Sequence, residues 1–152
     1  MRMTLCAVGR ARAGPERDLF DRFAGRISPA LNLKEVEEKK LLPPAELKRR
    51  EGELLRAAAA KGAIMVALDE KGLSLTSQDF ADRIGGWRDQ GTKNVAFFIG
   101  GANGLDDGVL KEAALVLSLG AMTWPHLLVR GLLAEQVYRA QCILSGHPYH
   151  RE

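Results

Sequence analysis

The sequence is poor in cysteine and contains no long apolar run. Its two cysteines, Cys6 and Cys142, lie in predicted buried elements without CxxC or Cys/His spacing. This favours reduced core thiols in a cytoplasmic protein and predicts no metal site. No window approaches the roughly 18 consecutive apolar residues of a membrane span. The apolar run at the N-terminus is too short for a secretory signal, so we interpret it as a first strand.

The bulk composition indicates an ordinary globular chain. At 152 residues it can bury a substantial core, and we predict a single domain over residues 1–152. The net charge of +3 permits a nucleic-acid partner without demonstrating one. A basic group on the second predicted helix could touch RNA, but such a run is more often a solvated helix face. That group consists of Lys48, Arg49, Arg50 and Arg56.

Strands and helices are predicted to alternate along the chain. Residues 69–72 are interpreted as a turn, and Gly85-Gly86 is expected to fray its helix, because each glycine costs about 1 kcal/mol against alanine. The alternation predicts an α/β fold, a mostly parallel sheet of five to six strands with helices on both faces. The predicted strands are 3–8, 31–36, 63–68, 95–99 and 115–119; the predicted helices are 15–27, 45–58, 78–88, one from about 106, and 125–145.

Three glycines, Gly100, Gly101 and Gly104, follow the fourth predicted strand and precede a helix. Ligands of open parallel sheets bind beyond the carboxyl ends of strands, where glycine lets the backbone approach a ligand closely. The G-G-x-x-G spacing matches neither a dinucleotide fingerprint nor a phosphate loop. Asp106 and Asp107 also disfavour an anion at the helix N-terminus. A ligand without phosphates and a purely structural turn are equally supported by the glycines alone.

The fifth predicted strand runs into a loop at residues 120–124, before the last helix. Backbone groups of such a loop can bind an adenine edge, and Leu119, Met122 and Trp124 could enclose its ring. The alternative is that Met122 and Trp124 are core residues, which is the commoner fate of these residue types. His126, taken alone, would be a capping or hydrogen-bonded histidine.

The last helix has two apolar surfaces. One stripe packs it on the sheet, whereas Leu128 and Leu132 lie on roughly the opposite side, beside Glu135 and Arg139. A helix with a second apolar patch is usually buried twice, and an isologous contact with a second copy would cover this one. The sequence therefore predicts a homodimer. The stripe on the sheet side consists of Val129, Leu133, Val137, Ala140 and Leu144.

The chain ends in HPYHRE, after Gly146. Polar termini are usually frayed, and that is the commoner outcome for such a tail. By chemistry alone, Arg151 could pair with a phosphate, Tyr149 could stack on a base and His150 could move a proton.

Taken together, these segments resemble the large-subunit ribosomal RNA methyltransferase H family of the SPOUT class. The matching motifs are FFIGGANGL, LSLGAMTWPHLLVRGLLAEQVYRA and the terminal HPYHRE, with AVG after the opening strand and EGELL in the second helix. The resemblance covers the whole chain without a large insertion. Trp124 stands where Phe or Leu is commoner and is expected to reshape the cofactor pocket, while Gly120 occupies a variable position.

The resemblance implies a small α/β domain with a C-terminal trefoil knot, paired as a homodimer that completes each site. It implies methyl transfer from S-adenosylmethionine to N3 of a pseudouridine in helix 69 of the large-subunit rRNA, on assembled ribosomes. Tyr149, His150 and Arg151 match the family's Tyr-His-Arg ending, which would reach the target base at the partner's site. Cofactor contacts would fall on Leu68, Gly100, Leu119, Gly120, Ala121, Met122, Thr123 and Trp124.

The chemistry of this cofactor agrees with the residues. It has no phosphate, which suits a glycine loop followed by Asp106 and Asp107. Its sulfonium is already electrophilic, so the protein needs only to align nitrogen, methyl group and sulfur. For the N3 proton, His150 is the first candidate to assist and His126 the second, although water could suffice.

Two other functions are compatible with the sequence. One is a non-enzymatic ribosome-binding or assembly factor on the same fold, which would bind ribosomes without taking up cofactor. The other is a generic nucleotide-binding α/β protein, suggested by the strand–glycine–helix unit. Asp106 and Asp107 count against the second, because they already place negative charge where a phosphate would bind.

Overall fold

Strands and helices alternate along residues 1–151, the part of the chain that the computed structural model describes. The strands are β1 Arg2–Val8, β2 Asn32–Val36, β3 Ile64–Ser74, β4 Asn94–Ile99 and β5 Leu115–Ser118. The helices are α1 Pro15–Ala24, α2 Pro44–Ala58, α3 Ser77–Asp89, α4 Asp107–Glu112 and α5 His126–Ser145. All strand pairs are parallel, in the order β2-β1-β4-β3-β5. The predicted α/β sheet is confirmed; the single domain and the trefoil knot stay predictions.

Helices cover both faces of the sheet. On one face α1 and α3 pack against α5, and on the other α2 contacts β1, β2 and α4. The middle strand β4 is buried on both sides, since Phe97 belongs to one apolar cluster and Phe98 to the other. This explains why β4 is a continuous apolar run rather than an alternating one. The carboxyl end of β4 therefore opens near the centre of one edge of the sheet.

The turn predicted at residues 69–72 is wrong. β3 continues through these residues to Ser74, and its pairing with β5 shifts register between Leu68 and Leu73. A Cβ on Gly72 would lie 2.6 Å from the backbone oxygen of Val116, so only glycine permits this approach. Polar residues followed by glycine suit a β-bulge as well as a turn, which is why the sequence misled.

Two helix predictions also need correction. α3 continues unbroken to Asp89 instead of fraying at its two glycines, because Gly85 is buried and a Cβ there would lie 2.9 Å from Leu144 Cδ2. α1 ends at Ala24, and Ile27 is buried from the turn that follows rather than from a further helical turn. The other predicted bounds agree with the structure to within one residue. Among the described residues, no helix is both long and apolar enough to cross a membrane.

Candidate active site

A cavity of about 790 Å³ opens at the carboxyl edge of β3, β4 and β5. The glycine loop after β4 and the loop after β5 both line it, so the two loops lie at one rim as predicted. Its volume is within the range of roughly 300–1,000 Å³ typical of small-molecule sites. Ala121 is not among the lining residues. Of the predicted cofactor residues, the cavity is lined by Leu68, Gly100, Leu119, Gly120, Met122, Thr123 and Trp124.

The glycine loop folds back on itself beside the cavity. The N–H of Gly104 donates to Gly101 O at 3.0 Å. A Cβ on Gly100 would lie 2.6 Å from Gly104 O, so no side chain fits between these two backbone segments. Asp106 caps α4 by accepting a hydrogen bond from the N–H of Gly108 at 3.1 Å. The Asp106 carboxylate thus occupies the position at the N-terminus of α4 where a phosphate would bind. The glycine loop is therefore both a tight turn and part of the cavity wall.

The loop after β5 is held by side chains from two strands. Ser118 Oγ accepts from the N–H of Gly120 at 3.1 Å, and Thr123 Oγ1 donates to Glu70 Oε2 at 3.3 Å. Trp124 Nε1 donates to Leu119 O at 3.4 Å. Trp124 remains 43% exposed and Met122 76% exposed, so the interpretation of these two residues as core is wrong. They form an apolar rim that a bound ring system could cover.

Charged side chains of both signs surround the cavity. Asp69, Glu70 and Asp107 bring carboxylates to its lining, and Lys48 and Lys71 bring ammonium groups. The acids favour a ligand with positive charge over a phosphate-bearing one. Among the described residues, no group of His, Cys, Asp or Glu could hold a metal ion.

Glu51 on α2 lies directly behind the glycine loop. It is buried, and a Cβ on Gly101 would lie 2.8 Å from its Oε2. Burial raises the pKa of the Glu51 carboxyl. The sequence analysis missed this residue, although it lies four residues from both Leu47 and Leu55 and therefore on their face of the helix. That spacing is the signal that could have found it.

Tyr149 and His150 pack against α5 instead of fraying, and Glu152 of the HPYHRE ending lies outside the described residues. The Tyr149 hydroxyl donates to Glu135 Oε1 at 2.9 Å, and Arg139 Nη1 donates to His150 Nδ1 at 3.1 Å. Arg139 also pairs with Glu135, and its guanidinium lies 4.9 Å from the centre of the Tyr149 ring. Burial and the hydrogen bond to Glu135 raise the pKa of Tyr149. The expectation of a frayed tail is wrong for Tyr149 and His150, while Arg151 is exposed.

Up to Arg151, the tail does not reach the cavity of its own chain. His126 at the start of α5 lines the cavity, whereas Arg139, which contacts the tail, follows 13 residues later in the same helix. At 1.5 Å per residue this separates them by about 20 Å along the helix axis. The predicted cofactor residues thus share one site, and the predicted catalytic residues lie elsewhere on the same chain.

Comparison with known proteins identifies the family. A family model described as "Predicted SPOUT methyltransferase" matches residues 1–150. The chain belongs to the SPOUT methyltransferase family. Proteins named ribosomal RNA large subunit methyltransferase H from Rhodospirillum centenum and Paramagnetospirillum magneticum are 60% and 58% identical to it, each over 99% of both chains. A solved structure of a probable methylase family protein from Haemophilus influenzae shares the fold, with a TM-score of 0.54 at 9% identity over 99% of this chain and 70% of that one.

In this SPOUT-family chain most of the basic group on α2 is neutralised by neighbouring acids. Arg50 pairs with Glu38 at 2.9 Å and with Glu53 at 3.0 Å. Arg56 similarly pairs with Glu112 at 2.9 Å. These contacts agree with a solvated helix face. Lys48 differs, because it lines the cavity.

Sequence reasoning also missed part of the SPOUT-family cavity. Asp69 and Glu70 line it, but the sequence analysis assigned them to a turn. Their position directly after the buried part of β3 was the available signal, since residues that follow parallel strands gather at one edge of the sheet. Lys48 could not be found this way, because its place in the wall depends on how α2 packs against the sheet.

Proposed function

We propose that this chain is an S-adenosylmethionine-dependent methyltransferase of large-subunit ribosomal RNA. The resemblance of its sequence motifs to the methyltransferase H family leads us to propose N3 of a pseudouridine in helix 69, on assembled ribosomes, as its target. The observation that carries the proposal is the single cavity shared by the glycine loop and the loop after β5 in a chain of the SPOUT family. The naming of relatives that cover 99% of this chain supports ribosomal RNA as the substrate class.

The cavity fits S-adenosylmethionine in size and charge. The cofactor has a sulfonium and an ammonium group, which suit the carboxylates of Asp69, Glu70 and Asp107, and it lacks the phosphate that Asp106 disfavours. When bound, it supplies an electrophilic methyl group. We propose that eight residues hold the adenine and ribose of the cofactor. Ala121 belongs to the loop after β5 but does not line the cavity. The eight residues are Leu68, Gly100, Leu119, Gly120, Ala121, Met122, Thr123 and Trp124.

The chain itself aligns the reactants. Backbone at the glycine loop and at residues 119–124 fixes the cofactor, while the exposed Met122 and Trp124 provide an apolar surface beside it. Alignment of the acceptor nitrogen with the methyl group can by itself supply a large part of the rate acceleration. This is why the proposal needs no nucleophilic side chain.

A homodimer would bring the tail of one chain to the cavity of the other. Leu128 and Leu132 are half-buried and do not belong to the two apolar clusters, so α5 keeps an apolar patch for a second copy. Leu132 lies midway between His126 and Arg139. If two α5 helices pair antiparallel about a two-fold axis near Leu132, Arg139 of one chain lies opposite His126 of the other.

In that dimer, Tyr149, His150 and Arg151 of one chain act at the acceptor base held by its partner. Arg151 is exposed and provides a cation for the RNA backbone. Tyr149 offers a ring for stacking on a base. His150 assists departure of the N3 proton after exchanging its Arg139 contact for the base, with His126 in the cavity wall as the second candidate.

The ribosome supplies much of the specificity. The net charge of +3 is small, and most arginines of the α2 basic group already pair with acids. A chain with so little excess positive charge binds RNA weakly through phosphates alone. We therefore infer that the assembled subunit presents helix 69 in the required shape, and that the protein acts in the cytoplasm, where ribosomes are.

The decisive experiment measures methyl transfer from labelled S-adenosylmethionine to ribosomes that lack the modification. Intact ribosomes and naked rRNA are compared as substrates, and mass spectrometry of helix 69 fragments locates the methyl group. We expect transfer to N3 on intact ribosomes and at least tenfold slower transfer to naked rRNA. Ribosome binding without methyl transfer, and without calorimetric heat from the cofactor, would instead support a non-enzymatic ribosome-binding factor. Competition of the cofactor by ATP would favour a nucleotide-binding protein.

A mixing experiment tests the shared site. One variant carries Gly100→Ala, which damages the cavity, and the other carries His150→Ala, which damages the tail. Each homodimer should be inactive, but a heterodimer contains one intact cavity facing one intact tail. When equal amounts of the two variants are refolded together, about half of the dimers are mixed, and each mixed dimer has one competent site out of two. At equal protein concentration, the mixture should therefore regain up to about a quarter of the wild-type activity. No recovery would contradict the shared site.

A further inference from the structure

The most deeply buried charge of the described residues lies behind the cavity wall. Arg130, in the second turn of α5, is 1% exposed. Its Nη1 donates to Glu35 Oε1 at 2.7 Å, and its Nη2 donates to Val8 O at 3.1 Å and Gly9 O at 2.9 Å. Within residues 1–151 its Nε has no hydrogen-bond partner. One guanidinium therefore joins α5 to the end of β1 and to the edge strand β2.

Glu35 extends this connection into the loop after β1. Its Oε1 also accepts a hydrogen bond from the N–H of Ala11 at 2.9 Å. Burial raises the pKa of Glu35, but the hydrogen bond from Ala11 and the hydrogen bond and charge of Arg130 outweigh it, so the pKa is lowered. The carboxylate is consequently ionised at neutral pH and forms a true ion pair with Arg130.

Stability alone is a poor explanation of this pair. Moving two charges out of water costs several kcal/mol per ion, and replacing a buried ion pair by apolar side chains of similar volume is often neutral or stabilising. The unpartnered Nε adds a further cost of about 1–3 kcal/mol. What the ion pair does provide is a fixed geometry, because three chain segments bind the planar guanidinium group of Arg130.

The segments that Arg130 fixes reach the cavity wall through His126. His126 lies four residues before Arg130 and thus on the same face of α5. A Cβ on Gly9 would lie 3.9 Å from His126 Nε2 and 4.0 Å from Arg130 Nη2, so Gly9 lies against both side chains. Its φ of 90° is a conformation that glycine adopts readily. His126 lines the cavity, and its immediate support is the backbone that Arg130 holds.

We propose that Arg130 is a positioning residue for methyl transfer, which through Glu35 and the Gly9 backbone fixes His126 and the acceptor side of the cavity. The proposal rests on the proposed function and adds a residue that touches neither cofactor nor RNA. Among the described residues, the loops after β4 and β5, which build the cofactor side, form no hydrogen bond with Arg130 or Glu35. Loss of the pair should therefore misplace the acceptor and leave cofactor binding intact.

The test separates positioning from stability. Arg130→Met removes the charge with little change in length, and Arg130→Met with Glu35→Leu replaces the whole pair by apolar side chains. Arg88→Met, which breaks the exposed contact of Arg88 with Asp89, is the matched control. Each variant is measured for unfolding temperature, cofactor Kd by calorimetry, and kcat and KM with ribosomes.

For both Arg130 variants we expect cofactor Kd within about threefold of wild type and kcat lower by about 100-fold, the loss that follows a misplacement near 1 Å. The double variant should regain stability relative to Arg130→Met without regaining kcat. Recovery of kcat together with stability would show that the pair is only structural and would overturn the proposal. If Arg130→Met does not fold, the double variant and Glu35→Gln are compared with wild type by the same measurements of unfolding temperature, cofactor Kd and kcat. If the wild-type protein transfers no methyl group to ribosomes, that result contradicts the proposed function and, with it, this inference.

Discussion

The hydroxyl of Tyr149 donates its hydrogen bond to Glu135, fourteen residues earlier in the chain, and thereby anchors the tail on α5. Tyr149→Phe removes this bond but keeps the ring that contacts Tyr138. A net hydrogen bond is worth about 1 kcal/mol, so the tail should be misplaced for part of the time and kcat should fall roughly fivefold to tenfold. The cofactor Kd should not change, because in the proposed dimer the tail acts on the acceptor base and contributes no contact to the cofactor.

Tyr138→Phe is the matched control for this prediction, since it removes a hydroxyl from the neighbouring ring. It should retain activity close to wild type in the same ribosome methylation assay. Equal losses in both variants would mean that the bond to Glu135 does not position the tail.

Gly100→Ala should strongly weaken cofactor binding in a folded protein. The new Cβ would lie 2.6 Å from the backbone oxygen of Gly104, and backbone cannot move aside as a flexible side chain can. The glycine loop must therefore change shape, and we expect the Kd for S-adenosylmethionine to rise at least 30-fold, or about 2 kcal/mol. Calorimetry measures the affinity and circular dichroism checks the fold.

Gly86→Ala serves as the control, because a Cβ there would contact nothing within 4 Å. Its cofactor affinity should equal that of wild type. A Gly100→Ala protein that bound cofactor normally would remove the glycine loop from the proposed site.

Adjacent glycines in α3 should respond differently to alanine. Gly86→Ala should raise the free energy of unfolding by about 0.5–1 kcal/mol, the usual advantage of alanine in a helix. Gly85→Ala should gain less or lose stability, because its Cβ would lie 2.9 Å from Leu144 Cδ2 on α5. Urea unfolding of both variants measures the difference. Equal gains would show that Leu144 moves aside without cost.

Glu51→Gln should stabilise the protein in a pH-dependent way. Burial raises the pKa of Glu51 in the folded protein above the ordinary value of 4.5. The contribution of Glu51 to the free energy of unfolding is therefore fully present below about pH 4.5, and it is lost as the pH rises through the folded-state pKa. Glutamine has no charge to bury, so the variant should have the higher unfolding temperature at pH 7 to 8. The advantage should vanish below pH 4.5.

Thermal unfolding from pH 4 to 8 tests this prediction, with Glu46→Gln as the control at an exposed position of the same helix. The control should show no comparable pH trend. A wild type more stable than Glu51→Gln at pH 8 would contradict the expected sign of the pH dependence.

Local patterns predicted the elements well and the packing between them poorly. The apolar run of β4 and the stripe of α5 depend on neighbours in sequence, so periodicity finds them. The role of Gly85 depends on Leu144, which is 59 residues away, and no local pattern reveals that contact. The burial of Glu51 likewise depends on the loop that contains Gly101.

The same limit applies to the candidate site. The family resemblance named Gly100 and Trp124 together as cofactor contacts, and the rule that loops at the carboxyl ends of parallel strands meet at one edge explains why both line one cavity. That rule could not predict that Asp69 and Glu70 belong to a bulge of β3, because turns and bulges use the same residue types. Nor could it predict the Arg130 pair, which joins elements that are far apart in sequence.

The pairing of Arg2 in β1 with Asn94 in β4 has a consequence for synthesis of the protein. Translation delivers the first strand long before its central neighbour, and contacts so distant in sequence form slowly. The cavity wall extends to Val129, and α5 continues to Ser145. A nascent chain therefore lacks the complete cavity wall until its final helix has been made and has packed onto the sheet.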